Sequence, residues 1–128
     1  MFAMIIYCCT DLIFATKVRS TAEAIGVPTR PARNTEALQK RLDQVDDGKL
    51  NDLVTGVFVD LEMGDVALGL IEQVKQFESN IPVFGFGSHV ATDLLAAARE
   101  KQADGVMPRS QFVMELPDLL QRHGGATL

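Results

Sequence analysis

The chain has 128 residues, 47% of them apolar and 23% charged, with a net charge of −5. That length fits one domain able to bury roughly two thirds of its unfolded surface, and the composition is that of a compact fold, not a disordered segment. No apolar run approaches the ~20 residues that span a bilayer, and no Lys/Arg stripe supplies the electrostatic footprint of a nucleic-acid binder, so neither membrane insertion nor direct nucleic-acid contact is expected.

Phe2 to Cys9 is a nearly unbroken apolar run and reads as a first buried strand. It lacks a basic leader and a small-residue cleavage site, which argues against a secretory signal. Cys8 and Cys9 are the only cysteines. Neighbours in a strand point to opposite faces, which disfavours a bridge between them and fits a reducing cytoplasm. From Leu12 to Ile25 the period changes: Phe14, Val18, Ala22 and Ile25 lie on one helical face, with Thr10 or Asp11 as cap and Gly26 as terminator. Val27-Pro28-Thr29 has room only for a brief strand, since Pro28 donates nothing to a ladder.

Asn34 is the expected cap of a second helix carrying Ala37, Leu38, Leu42 and Val45 inward, and Asp46-Asp47-Gly48-Lys49 is read as a solvated turn. Leu53 to Val59 then runs seven residues without a charge or a polar/apolar alternation and stops at Asp60. Such a run suits a strand buried on both faces of a parallel sheet, with Asp60 at its carboxyl end. Val66, Ala67, Leu70, Ile71, Val74 and Phe77 mark the next amphipathic helix. Residues 81–86 form a further strand, and a helix from about Ala91 to Lys101 follows, for which Ser88 is the expected N-cap. Residues 103–107 form the last strand. Pro117 is placed at the first position of a final helix, after an irregular turn at Ser110.

Five strands alternating with five helices predict a single doubly wound parallel sheet, core about 2–123, tail 124–128 loose. In such sheets ligands and chemistry collect at the carboxyl edge. The residues brought there are Cys9-Thr10-Asp11, Asp60, Gly87-Ser88-His89 and Pro108-Arg109.

With these strand ends the chain resembles a response-regulator receiver domain over residues 2–123. Val59-Asp60-Leu61-Glu62-Met63 is similar to the phospho-acceptor strand end, 82–88 to the strand with the hydroxyl switch, and 103–109 to the segment carrying the family's lysine. The resemblance implies a CheY-like (flavodoxin-like) sheet in the order 2-1-3-4-5 and a signalling domain, not an enzyme. It implies partners such as a histidine kinase, an output protein or a second copy, met through about Ala91 to Arg122.

The departures lie in the site itself. Where the family has two acids beside its acceptor, this chain has Cys9 and Thr10, and Mg²⁺ wants hard oxygen ligands. Asp11 is one residue late and is either a helix cap or a substitute ligand. Gly87 stands at the family's hydroxyl position, with Ser88 next door. Arg109 replaces the lysine, and its planar fork is no equivalent of an ammonium. A carboxylate and a guanidinium at about 4 Å in an effective dielectric near 20 attract by roughly 4 kcal/mol before desolvation. Asp60 and Arg109 are therefore expected to form an ion pair that leaves no work for a metal, and no cofactor is expected. The alternative is a working receiver phosphorylated on Asp60, with Mg²⁺ and with Asp11, Ser88 and Arg109 in the supporting places.

Other signals are weaker. Cys-Cys is not the Cys-x-x-Cys spacing that lowers a thiol pKa. His89 and His123 have no ligand-spaced Cys or carboxylate for a zinc site. Gly85-Phe86-Gly87-Ser88 opening a helix leaves a third possibility of another class, a flavodoxin-like protein binding a nucleotide or small molecule, although the fingerprint lacks its third glycine and downstream acid.

Overall fold

A computed structural model of the chain describes residues 3–46, 49–50 and 52–124. Phe2, the middle of the turn at 47–48 and the tail from Gly125 fall outside them. Among the described residues the chain runs β1 (Ala3–Cys8), α1 (Leu12–Ala24), β2 (Thr29–Pro31), α2 (Thr35–Leu42), β3 (Val45–Asp46), β4 (Lys49–Leu50) and β5 (Leu53–Asp60). A 3-10 turn (Leu61–Met63) then leads into α3 (Asp65–Phe77), β6 (Val83–Gly87), α4 (Thr92–Glu100), β7 (Gly105–Pro108) and α5 (Arg109–His123). Five strands make one parallel sheet in the order β2-β1-β5-β6-β7, which is 2-1-3-4-5 when the sheet strands alone are counted. No described helix is long and apolar enough to cross a membrane.

The sheet separates two apolar layers. Met4, Ile6, Cys8, Val57 and Val59 face α2, α3 and α4, whereas Ile5, Tyr7, Cys9, Phe58 and Phe86 face α1 and α5. This is why β1 and β5 read as continuous hydrophobic runs: both faces are covered. On the α1/α5 side Phe14, Phe86 and Phe112 stack, with ring centroids 4.8 Å apart for Phe14 and Phe86 and 4.2 Å for Phe86 and Phe112. That stack lies directly beneath the carboxyl edge of the sheet and ties α1, β6 and α5 to one another.

Several elements differ from the sequence reading. Helix α2 stops at Leu42 because Gln44 turns into the left-handed region (φ 60°), so Val45 belongs to a small antiparallel hairpin with β4 and not to the helix face. Helix α4 begins at Thr92 with Ala91 as its cap; Ser88 Oγ instead accepts from the Val90 amide at 3.4 Å in the loop before it. Helix α5 starts at Arg109 and carries Pro117 in its interior. An interior proline costs a helix ~3 kcal/mol. The burial of Phe112 and Leu116 before it and Leu119 and Leu120 after it keeps both halves docked on the sheet.

Candidate functional site

Strand β5 delivers Asp60 to the carboxyl edge and the chain turns at once. The Asp60 Oδ1 atom accepts from the Glu62 amide at 3.0 Å, capping the short 3-10 turn, which Gly64 ends at φ 62° in the left-handed region open to glycine. This holds the carboxylate inside: Asp60 is the one buried charged residue among those described, at 1% exposure. A buried carboxylate must be paired or hydrogen-bonded at every lone pair that water would otherwise serve.

Arg109 supplies the counter-charge. It follows Pro108 at the end of β7 and opens α5, and its Nη2 donates to Asp60 Oδ1 at 3.1 Å. The same guanidinium reaches Asp11 Oδ2 at 3.5 Å through Nη1 and Glu62 Oε1 at 3.9 Å. Its carbon stands 4.9 Å from the Phe14 ring centroid, so the aromatic stack serves as a platform that fixes the planar group from below. Three carboxylates thus meet one cation, where the sequence suggested one acid facing one base. Only Asp60 is removed from water, however; the side chains of Asp11 and Glu62 are 45% and 58% exposed. Solvent screens those two, and the buried charge is the one the guanidinium neutralises.

The second Asp60 oxygen faces Cys9, whose Sγ lies 3.4 Å from Oδ2 and can donate to it. Burial pushes the Cys9 thiol up to about 12, a shift the Asp60 and Asp11 charges reinforce against a hydrogen bond from Cys9 to the Asp11 carbonyl. Cys9 is therefore a neutral donor and an inert thiol. Cys8 points to the opposite layer, also free and buried, and burial raises it to about 12 as well.

The remaining residues of the site fall into place around this pair. Asp11 is both cap and rim acid: its Oδ1 accepts from the Ile13 and Phe14 amides at 3.0 and 3.2 Å, while Oδ2 turns to Arg109. Thr10 is exposed. At buried Gly87 a Cβ would come 3.3 Å from the Leu61 side chain, so Leu61 fills the space above the glycine where a switch hydroxyl would stand. His89 is exposed, and His123 lies against Phe84 with ring centroids 5.0 Å apart, far from Asp60 along the sheet.

Magnesium is the metal that the receiver resemblance brings with it, and these residues do not fit it. One Asp60 oxygen already takes two N–H donors, the other faces a protonated thiol, and a cation stands on the carboxylate. A hard divalent ion would need those positions filled by carboxylate or water oxygen. Among the described residues no group of three His, Cys, Asp or Glu side chains is placed to hold a metal.

Two participants were invisible in the sequence. Glu62 comes within reach only because the 3-10 turn folds it back over Asp60. Phe14 has a helix-core spacing, and its second role under the guanidinium depends on where α5 begins.

No protein-family model matches the chain, and no curated protein matches it. Solved structures do. The fold is similar to that of a response regulator from Thermotoga maritima (18% identity, TM-score 0.71, covering 95% of this chain and 97% of that one). It is similar to the phosphorylated cyanobacterial phytochrome response regulator RcpA (10% identity, TM-score 0.76, 96% and 94%). The receiver domain of NtrX from Brucella abortus is a third (15% identity, TM-score 0.72, 94% and 96%). At these identities the likeness is one of fold, and the fold is that of response-regulator receiver domains.

Proposed function

We propose that this receiver-fold chain is a degenerate signalling domain that works by binding another protein, without Mg²⁺-dependent phosphorylation of Asp60. The observation that carries this reading is the Arg109 guanidinium seated 3.1 Å from the buried Asp60 carboxylate. To become an acyl phosphate, Asp60 needs one oxygen free to attack a phosphoryl donor in line and a cation to offset the incoming charge. In this site both oxygens are engaged, and the cation present is a side chain lying over an aromatic ring. The buried, high-pKa cysteines accord with a reducing cytoplasmic setting. The partner is a protein such as a histidine kinase or an output protein, or a second copy of the chain, met through the α4–β7–α5 side, about residues 91–122.

The competing reading, a working receiver, uses the same Asp60. Incubation with acetyl phosphate and Mg²⁺ followed by intact mass measurement separates the two. No added phosphoryl group is expected; an adduct that disappears in Asp60→Asn would establish the competitor.

A further inference from the structure

The exposed apolar side chains are not spread evenly over the surface. Among the described residues six large ones face solvent: Leu12, Ile13, Val66, Phe77, Val90 and Met114. Phe77 closes α3 at the amino edge of the sheet, and Met114 lies in the second turn of α5. The other four stand at the carboxyl edge: Leu12 and Ile13 open α1, Val66 lies in the first turn of α3, and Val90 lies in the loop before α4. Ile13 is 86% exposed and Val90 73%. The strands that lead to them, β1, β5 and β6, are neighbours in the sheet, so the four side chains bracket Asp60 from both of its faces. A single exposed apolar residue is ordinary, but a group of them rimmed by charge marks an interaction site.

The charge around them is mostly of one sign. The loops and first helical turns of this edge carry six acids, Asp11, Glu36, Asp60, Glu62, Asp65 and Asp93, against two bases, Arg33 and Arg109. Most of the chain's net charge of −5 therefore sits here. Arg109 is engaged by Asp60, Asp11 and Glu62, and Glu36 turns to Lys40. Asp65 and Asp93 are exposed and have no partner among the described residues. First-turn acids complement the helix dipoles and belong to any fold that gathers its helix N-termini at one edge. The apolar side chains have no such reason to be there, since pointed at water they add nothing to the core. Together the two features select the occupant. A second copy meeting the first edge to edge would set acid against acid, and like charges repel. A helix with Lys or Arg beside its apolar stripe satisfies both, the stripe on Ile13, Val66 and Val90 and the cations on Asp65 and Asp93. We infer that the carboxyl edge, centred on the starts of α1, α3 and α4, is a docking site for a basic amphipathic helix of a partner protein. The inference shares with the proposed function only the premise that the domain binds protein, and the acetyl phosphate experiment bears on the phosphorylation reading alone.

The test is an amide chemical-shift titration of the full chain with a synthetic helix of Leu and Lys, about 18 residues long so that it folds alone. Two peptides of the same length serve as controls, one of Leu and Glu and one of Lys and Ser. Saturable shifts centred on Ile13, Val66 and Val90 are expected with the Leu/Lys helix only, and raising the salt should weaken them. Ile13→Ser and Val90→Ser should each lower the affinity about fivefold or more, as loss of a buried aliphatic contact requires, and Phe77→Ser should leave it unchanged. Both edge positions are exposed, so circular dichroism should report an intact fold in each variant. Absence of saturable binding would overturn the inference, as would shifts centred on another surface or an undiminished affinity in both edge variants. Equal binding of the Lys/Ser peptide would reduce the site to charge alone. Concentration-dependent shifts at Ile13 and Val90 in the peptide-free protein would make a second copy the occupant, which also overturns it.

Discussion

Replacing Arg109 with alanine removes the partner of the buried carboxylate. Breaking a fully buried ion pair costs about 3–5 kcal/mol because the remaining charge is stranded. Two features of this site reduce the figure: the Arg109 side chain is 29% exposed, so water reaches the vacated place, and Asp60 keeps the Glu62 amide and the Cys9 thiol. About half of the full cost, ~2 kcal/mol, remains for the pair. The lost contact over Phe14 at 4.9 Å adds ~0.5–1 kcal/mol. The expected total is about 3 kcal/mol, or ~10 °C in Tm for a domain of this size. A double-mutant cycle in urea isolates the pair. Asp60→Asn removes the stranded charge, so Arg109→Ala on that background should cost ~1.5 kcal/mol less than on the wild type. A coupling near zero would mean that the guanidinium neutralises nothing, and the electrostatic account of the site would fall.

Three further outcomes follow from the same geometry. In the native protein at pH 8 neither cysteine should react with a chromogenic disulfide reagent, since burial holds both thiols near 12 and leaves almost no thiolate; both should react in denaturant, and release of one equivalent from the folded state would contradict this. Gly87→Thr should cost about 1–3 kcal/mol in urea denaturation, because its Cβ would press on Leu61 at 3.3 Å; an unchanged midpoint would show that Leu61 gives way freely. His123 is lowered from 6.5 chiefly by burial, with Arg122 adding to the effect. The unfolded state therefore binds the proton more readily, so this contribution to stability is complete above about 6.5 and is lost as pH falls through the folded value. Stability measured from pH 7.5 down to 5.5 should decline less steeply in His123→Gln than in the wild type, and parallel curves would refute the assignment.

The sequence carried the sheet well where the physics is local. Leu53 to Asp60 reads as a strand because both of its faces are covered, which removes alternation and leaves an apolar run ending on a charge. Asp11 is one of two cap candidates, the other being Thr10, and it is the one that caps α1; the order of strand ends places Asp60 and Arg109 at one edge. Local rules failed where tertiary packing overrode them. Pro117 is a strong helix-start signal, yet four buried residues of α5 hold the helix through it. Ser88 is a better cap than Ala91 by residue type, but the helix begins three residues later than a Ser88 cap would place it. Glu62 and Cys9 could not be assigned their contacts from spacing, because each depends on which way a side chain leaves a turn or a strand end.

The central claim is that the Arg109 side chain, and not a metal ion, neutralises the buried Asp60 carboxylate. A magnesium titration followed by amide chemical shifts at Asp60, Leu61 and Arg109 addresses it directly. The account predicts only weak, unsaturated shifts in the wild-type protein. Saturable binding at millimolar or lower Mg²⁺, centred on Asp60, would contradict it.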